Sequence, residues 1–316
     1  MSREEFELKS NEQILLMRRA GLITAAALKA VREAIKPGIS TLELDRIANE
    51  TIESLGGKSN FKLVPGYHHT ICASINDEVV HGIPSADRIL QPGDLISIDA
   101  GAIIGGWNGD AAITVLVPGG DPTAAAKRER VSRVTEASLW HGIAALAKGK
   151  RLNDVGVAIE KYVNSQGRFG ILEQYVGHGI GRSMHEDPPV FNYGVRGLTP
   201  KIQPGLVVAI EPMVTNGTEH TKVLDEDSLH SGRLRCQPLG TLGCRARGWH
   251  LGADRRRRWR CGTCQTGRNC RSVRRLKHPP SISFPIRLGL NIGVSTRLIP
   301  HASLGFSCAE VVRPRR

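Results

Sequence analysis

Apolar residues recur at helical spacing from Ile14 through Leu15, Leu22, Leu28 and Val31, behind Ser10 and Gln13, which stand three apart as in a capping box. The pattern stops at Lys36-Pro37-Gly38, where proline cannot continue a helix and glycine takes the turn. Ser40 with Glu43 repeats the capping signal, and Leu44, Ile47, Ala48 and Ile52 form a second stripe closed by Gly56-Gly57. The period then changes. Short β-type runs, Ile71–Ile75, Leu95–Ile98 and Ala111–Val117, sit between Gly, Pro and Asn turns. Asp121-Pro122 predicts a third helix to about Leu146. Residues 152–165 predict a fourth, and strand-like pieces return from Glu173 to Met213.

Helix, helix, strands therefore occurs twice, and the two passes are similar in sequence. Leu90-Gln91-Pro92-Gly93 leads into Leu95–Asp99, and Ile202-Gln203-Pro204-Gly205 leads into Leu206–Glu211, at an offset of 112. The preceding helices match at 111, Leu44 with Val155, Ile52 with Val163 and Gly56 with Gly167. Two similar halves about a pseudo-twofold axis are expected, with Asp99 and Glu211 at equivalent places, each after an apolar strand. A carboxylate ending a buried strand is costly unless paired or bound to metal. Two at symmetry-related positions are expected to face one central site.

The formal net charge of +13 suggests a nucleic-acid binder until the chain is divided at residue 227. Residues 1–227 hold 24 Lys+Arg against 28 Asp+Glu, and residues 228–316 hold 19 against 2. The cysteines divide likewise: Cys72 alone in the first part, six in the second. The first part is long enough for a sizeable core. Its single cysteine argues against a disulfide scaffold and fits a reducing compartment. The start, Met1-Ser2-Arg3-Glu4-Glu5, leads into no apolar run. No stretch approaches ~18 consecutive apolar residues, so no membrane span is expected. A soluble cytoplasmic protein is the expectation.

Four places carry candidate chemistry: Asn76–Pro84 around His81; Ile98-Asp99-Ala100-Gly101 with Asp110 in Asn108-Gly109-Asp110; Gly177-His178-Gly179 followed by His185-Glu186-Asp187; and Ala209-Ile210-Glu211-Pro212. Singly, each has a plain reading: a satisfied core histidine, a turn aspartate, a hairpin. Together, with the repeat pairing Asp99 and Glu211, they point to metal-assisted chemistry. Three carboxylates and an imidazole suit Mn, Fe, Co or Zn, and this is no cysteine-rich structural zinc site. Two such ions bridged by carboxylates lie ~3.5–4 Å apart and lower the pKa of a shared water. His81 and His185 are then spare donors for a substrate or tetrahedral intermediate.

The spacing of Asp99, Asp110, His178 and Glu211, with His81 and His185 between, closely resembles type I methionine aminopeptidases. The resemblance covers nearly all of residues 1–227. It implies the α+β pita-bread fold with its internal pseudo-twofold repeat, and a dinuclear centre of two divalent ions held by Asp99, Asp110, His178 and Glu211. It also implies His81 and His185 on the substrate side, Glu211 as proton shuttle, and Val64, Tyr67, Cys72 and Met184 around the methionine side chain. The implied reaction removes the initiator Met from new proteins when the second residue is small. The implied partners are nascent chains and the ribosome, with a monomeric enzyme. The His178–Glu211 interval excludes the insertion of type II relatives. The short N-terminus argues against prolidases and aminopeptidase P, which carry an extra N-terminal domain.

The family's fifth ligand, a second bridging Glu after an aromatic residue and before His, has no counterpart here. Lys222–Asp227 still fits the family; beyond it the only acids are Asp254, beside a four-Arg run, and Glu310. A frameshift accounts for this. Codons for Gln237–Leu242 can be chosen so that reading one nucleotide later gives Ser-His-Trp-Glu-His, the missing motif. The same shift through Gly248–Asp254 can give Asp-Gly-Thr-Trp-Val-Leu-Thr. An Arg-heavy, Lys-poor, Cys-rich tail is what GC-rich DNA yields out of frame. Activity of this exact chain is therefore expected to be poor. Residues 228–316 are expected to be an irregular, disordered basic tail. The competing reading is an impaired scaffold with an RNA- or ribosome-contacting arm through Arg255–Arg258. Cys261-Gly262-Thr263-Cys264 with Cys270 lacks the second CxxC of a zinc ribbon.

Overall fold

In the computed structural model, which describes residues 6–223 and the strands Leu234–Cys236, Gly243–Arg245 and Gly248–Leu251, both predicted caps start helices. The Ser10 hydroxyl accepts the Gln13 N–H at 3.3 Å and the Gln13 side chain accepts the Ser10 N–H at 2.7 Å, opening α1 (Asn11–Ala34). Ser40 caps α2 (Thr41–Ser54) through the Glu43 N–H, but the Glu43 carboxylate takes the Arg46 guanidinium instead of returning to the cap. The ion pair three residues on outcompetes the second half of the box because both groups are exposed and charged.

β1 (Lys58–Ser59), β2 (Ile71–Ile75), β3 (Glu78–Val80), β4 (Leu95–Ile104) and β5 (Trp107–Leu116) follow. Two ends differ from the sequence expectation. Asp99 does not end a strand; it sits in the middle of ten-residue β4, and Asp110 lies inside β5 rather than in a turn. Ala100, Gly101 and Ala102 carry no bulk to break the pairing, so the ladder runs on to the Gly105-Gly106 turn. β4 is antiparallel to β5 on one edge and to β2 and β1 on the other. The faces of α1 and α2 bearing Ile14, Ile23, Ala27, Val31, Leu44 and Ile52 cover it, meeting Ile71, Ile96, Ile98 and Trp107 in one core.

The second half repeats the plan. Asp121 caps α3 (Pro122–Lys148), and α4 (Asn153–Ser165) follows. The strands are β6 (Phe169–Ile171), β7 (Gly177–Gly179), β8 (Glu186–Val190), β9 (Val207–Ile210), β10 (Met213–Asn216), β11 (Thr221–Val223), β12 (Leu234–Cys236), β13 (Gly243–Arg245) and β14 (Gly248–Leu251). β9 stands where β4 stood: it pairs with β14 on one edge and β7 on the other. Val134, Leu139, Val155 and Ile159 of the helices pack on Val208, Ile210 and Val214 in a second core. Val207 and Ile180 enter the first core and Leu95 the second, so the halves interlock. This is the expected α+β pita-bread architecture with its pseudo-twofold repeat.

Among the described residues no helix is long and apolar enough to cross a membrane. Three strands fall within residues 228–316, which were expected to be irregular: β12 pairs with β11 and β3, β13 with β10 and β14 with β9, because a ladder needs only backbone groups. Arg255–Arg258 and the Cys261–Cys270 cluster lie outside the described residues.

The packing of α1 on β5 gives a prediction of two signs. A Cβ on Gly109 would lie 2.4 Å from the Ala20 carbonyl carbon, whereas one on Gly21, in the same helix, meets nothing within 4 Å. Gly109→Ala is expected to destabilise by about 3 kcal/mol through overpacking. Gly21→Ala is expected to stabilise by roughly 0.5–1 kcal/mol, the helix-propensity difference. Urea unfolding of the two variants, with opposite shifts of the midpoint, checks it.

Candidate metal centre

Register places the acids before any side chain is considered. Asp99 pairs with Ala112 and Asp110 with Gly101, so the two aspartates are diagonal neighbours on one face of the β4–β5 ribbon. The other half offers the same arrangement: His178 pairs with Ala209, and Glu211 stands two residues further along the same chain. The halves meet face to face. The His178 Nε2 lies 2.9 Å from Glu211 Oε1 and 3.6 Å from Asp110 Oδ2, drawing together groups from three strand segments of both repeats. All four side chains are buried, Asp110 completely at 0 % exposure.

The tautomer of His178 follows from its other nitrogen. Nδ1 stands 2.8 Å from the Gly179 carbonyl, which can only accept, so Nδ1 carries the proton. With Nδ1 so engaged, Nε2 faces two carboxylates. Three electron-rich groups turned on one another in a dry interior are tolerable only around a cation. A proton on Nε2 or a divalent ion satisfies that demand, and the donor set, oxygens with one imidazole nitrogen, is that of Mn, Fe, Co or Zn. The residues therefore fit the metal that their chemistry implies. The closed contacts are pairwise through His178; among the described residues no three such donors are drawn to coordination spacing about one point.

The remaining expected residues surround this cluster. The His185 ring stands 4.3 Å from the His178 ring, edge to face at 75°, on the exposed side of the site. His81 follows β3 with φ of 60°, a left-handed backbone unusual for a non-glycine residue. Its ring packs edge-on against Tyr175 at 5.9 Å. Such strain persists only where neighbours over-determine it. Here Arg88 supplies the constraint, pairing with Glu78 on one side of His81 and donating to the Ile83 carbonyl at 2.7 Å on the other. Cys72 is the strand partner of Asp99 and lies 3.3 Å from the Tyr67 hydroxyl. That hydroxyl donates to the Ile71 carbonyl at 2.6 Å. Burial raises the Tyr67 phenol far above its ordinary value, with Cys72, Asp45 and Asp99 adding to the effect, so it presents a neutral aromatic wall. Val64 and Met184 are half-buried.

The groups that hold these parts in place were not among the residues expected from the sequence. Asn60 donates to Asn108 at 3.1 Å, and Asn108 donates to the Gly181 and Arg182 carbonyls at 3.1 and 2.8 Å, tying β5 to the loop before His185. Asn192 reaches the Glu211 carbonyl at 3.0 Å. The one sign available was alternation: Asn108 shares a strand face with Asp110, and a polar residue there is buried whatever it does.

Residues 15–241 match the profile of metallopeptidase family M24. A methionine aminopeptidase of Clostridium acetobutylicum is 44% identical over 220 residues, covering 70% of this chain and 86% of the relative. Methionine aminopeptidase 1 of Mycobacterium tuberculosis is 48% identical over 223 residues, 69% of this chain and 82% of that one. Among solved structures, the methionine aminopeptidase of Thermotoga maritima superposes with a TM-score of 0.72 at 35% identity, over 78% of this chain and 96% of its own. A prolidase from Pyrococcus furiosus, at 20% identity and a TM-score of 0.55, shares the fold alone.

Proposed function

This chain belongs to metallopeptidase family M24 and, within it, to the type I methionine aminopeptidases, hydrolases that remove N-terminal methionine; we propose that Asp99, Asp110, His178 and Glu211 carry that reaction here. The observation that supports it most is His178, whose Nε2 faces Glu211 of its own half and Asp110 of the other at 2.9 and 3.6 Å.

The family uses divalent metal, and the four residues would hold two ions, of Co, Mn, Fe or Zn. Bound metal supplies a water of lowered pKa and a Lewis acid for the scissile carbonyl. The chain's own residues do the rest. His178, fixed by the Gly179 carbonyl, keeps its Nε2 available as a ligand. Glu211 takes the proton of the attacking water on a carboxylate oxygen and delivers it to the departing amine. His81 and His185 donate to the scissile carbonyl as it gains negative charge. Tyr67, Cys72, Val64 and Met184 enclose the methionine side chain, with the Tyr67 hydroxyl turned back to the Ile71 carbonyl so that an apolar ring faces the ligand. The substrates are the N-termini of nascent polypeptides with a small second residue, met in the cytoplasm at the ribosome by a monomeric enzyme. Turnover by this chain is impaired, because the second bridging Glu of the family is missing after Asp227.

Release of Met from Met-Ala-Ser by the full chain, with added Mn or Co, tests the reading. Slow release that stops with a chelator and returns with metal is expected. Release indifferent to chelator would contradict it.

A further inference from the structure

Lys9 is 2 % exposed, and the reaction as described above gives it no task. Its ammonium donates to Glu186 Oε2 at 2.7 Å and to Glu7 Oε2 at 2.9 Å. Glu7 is half exposed, whereas Glu186 is largely covered. A lysine is almost never buried this fully without a partner that needs it. The partner's other oxygen shows the need: Glu186 Oε1 accepts the Ser183 N–H at 2.9 Å, closing a turn over residues 183–186. His185 is inside that turn, its ring 4.3 Å from His178.

The contacts extend both ways. The Lys9 N–H donates to the Gly205 carbonyl at 2.7 Å, at the entrance to the strand that leads to Glu211. The lysine stem lies against Gly181, where a Cβ would come within 2.5 Å of Lys9 Cε and 2.8 Å of Glu186 Oε1. Asn108 grips the carbonyls of Gly181 and Arg182 at the other end of the loop. The loop bearing Met184 and His185 is thus clamped at its start by a strand that carries Asp110 and at its end by the Lys9–Glu186 pair.

We propose that Lys9 is a positioning residue for substrate: through Glu186 it fixes the 183–186 turn and sets His185 beside His178. The proposal rests on the reading of His185 as a substrate-side donor. A donor that acts as charge develops must be held before the reaction, and small misplacements of such groups cost about 10–100-fold in rate.

The test uses the full chain with Lys9→Met. Amide hydrogen exchange over residues 181–186 is expected to accelerate at least about 10-fold, with Leu95–Ile104 unchanged. Residual metal-dependent release of Met from Met-Ala-Ser is expected to fall about 10-fold, in kcat rather than KM. In a His185→Ala background, Lys9→Met is expected to cause no further loss. Glu186→Gln has a single acceptor oxygen where the carboxylate serves Ser183 and Lys9 on separate ones, so it is expected to shift both measurements in the same direction as Lys9→Met. If Lys9→Met does not fold, Lys9→Met with Glu186→Leu removes the stranded charge as well and is expected to fold with the same open turn. Unchanged exchange at 181–186, exchange rising equally throughout the chain, or losses that multiply with His185→Ala would each overturn the proposal. Turnover indifferent to His185→Ala alone instead overturns the reading of His185, and the exchange data then still decide whether Lys9 holds the turn.

Discussion

Asp110→Asn is expected to make the metal-stripped protein more stable and the metal-bound protein less so. Asp110 and Glu211 are buried, at 0 % and 2 % exposure, against one imidazole, and Asp99, at 5 %, is the diagonal neighbour of Asp110 across the ladder. Carboxylates gathered in a dry site without a cation are costly to bury. Replacing one carboxylate by an amide of the same shape relieves that cost. We expect a gain of about 1–2 kcal/mol in the presence of chelator at pH 7, read as a rise of roughly 2–8 °C in Tm. With metal the order reverses. Second-shell changes around a metal already cost 10–100-fold in affinity, so loss of Asp110 itself is expected to cost about 100-fold or more. Since metal stabilises in proportion to the logarithm of its concentration over Kd, the variant then melts below the parent at millimolar Mn. Thermal melts with and without Mn, and equilibrium dialysis for the affinity, give both signs. A variant that is less stable without metal and binds Mn as tightly as the parent would falsify the placement of Asp110 in the centre.

Reading the tail in the other frame is expected to increase turnover of Met-Ala-Ser by at least about 100-fold over the chain as it stands. The family resemblance assigns a second Glu that bridges both ions, and no acid in a matching context follows Asp227. Two dications held as proposed would share one fewer negative charge, and the weaker ion would be lost first. Metal titration of this chain is expected to show one tight and one weak site, and the shifted-frame chain two tight ones. The gene decides whether the premise holds. A shifted frame near the codon for Ser228 without an aromatic-Glu-His motif removes the frameshift, and turnover of the chain as written equal to the repaired chain removes the impairment.

Much of the candidate centre was legible in the residues alone because metal ligation needs specific side chains at places that repeat with the fold. The recurrence of the Gln-Pro-Gly turn before Leu95 and Leu206 aligned Asp99 with Glu211, and the structure sets β4 and β9 as equivalent central strands. Capping pairs at Ser10 and Asp121 marked helix starts because their chemistry is local, a side chain meeting a backbone N–H three residues on. Strand ends were less legible. Asp99 and Asp110 read as strand-end or turn residues, yet both lie within long strands, because neighbours across the ladder, not the residue itself, decide where pairing stops.

What the sequence determined by itself, then, was the set of candidate donors, the two-fold repeat and the helix boundaries, all encoded by residue type and short spacing. What only the tertiary structure decided was which groups hold the donors in place: Lys9 on Glu186, Arg88 on Glu78 and Ile83, Asn108 on the Gly181 carbonyl. Lys9 and Glu186 are 177 residues apart and Asn108 and Gly181 are 73 apart. No periodicity links such pairs. Their charge and hydrogen-bonding needs are met only when the folded chain excludes water around them, and that exclusion is a property of the packed whole.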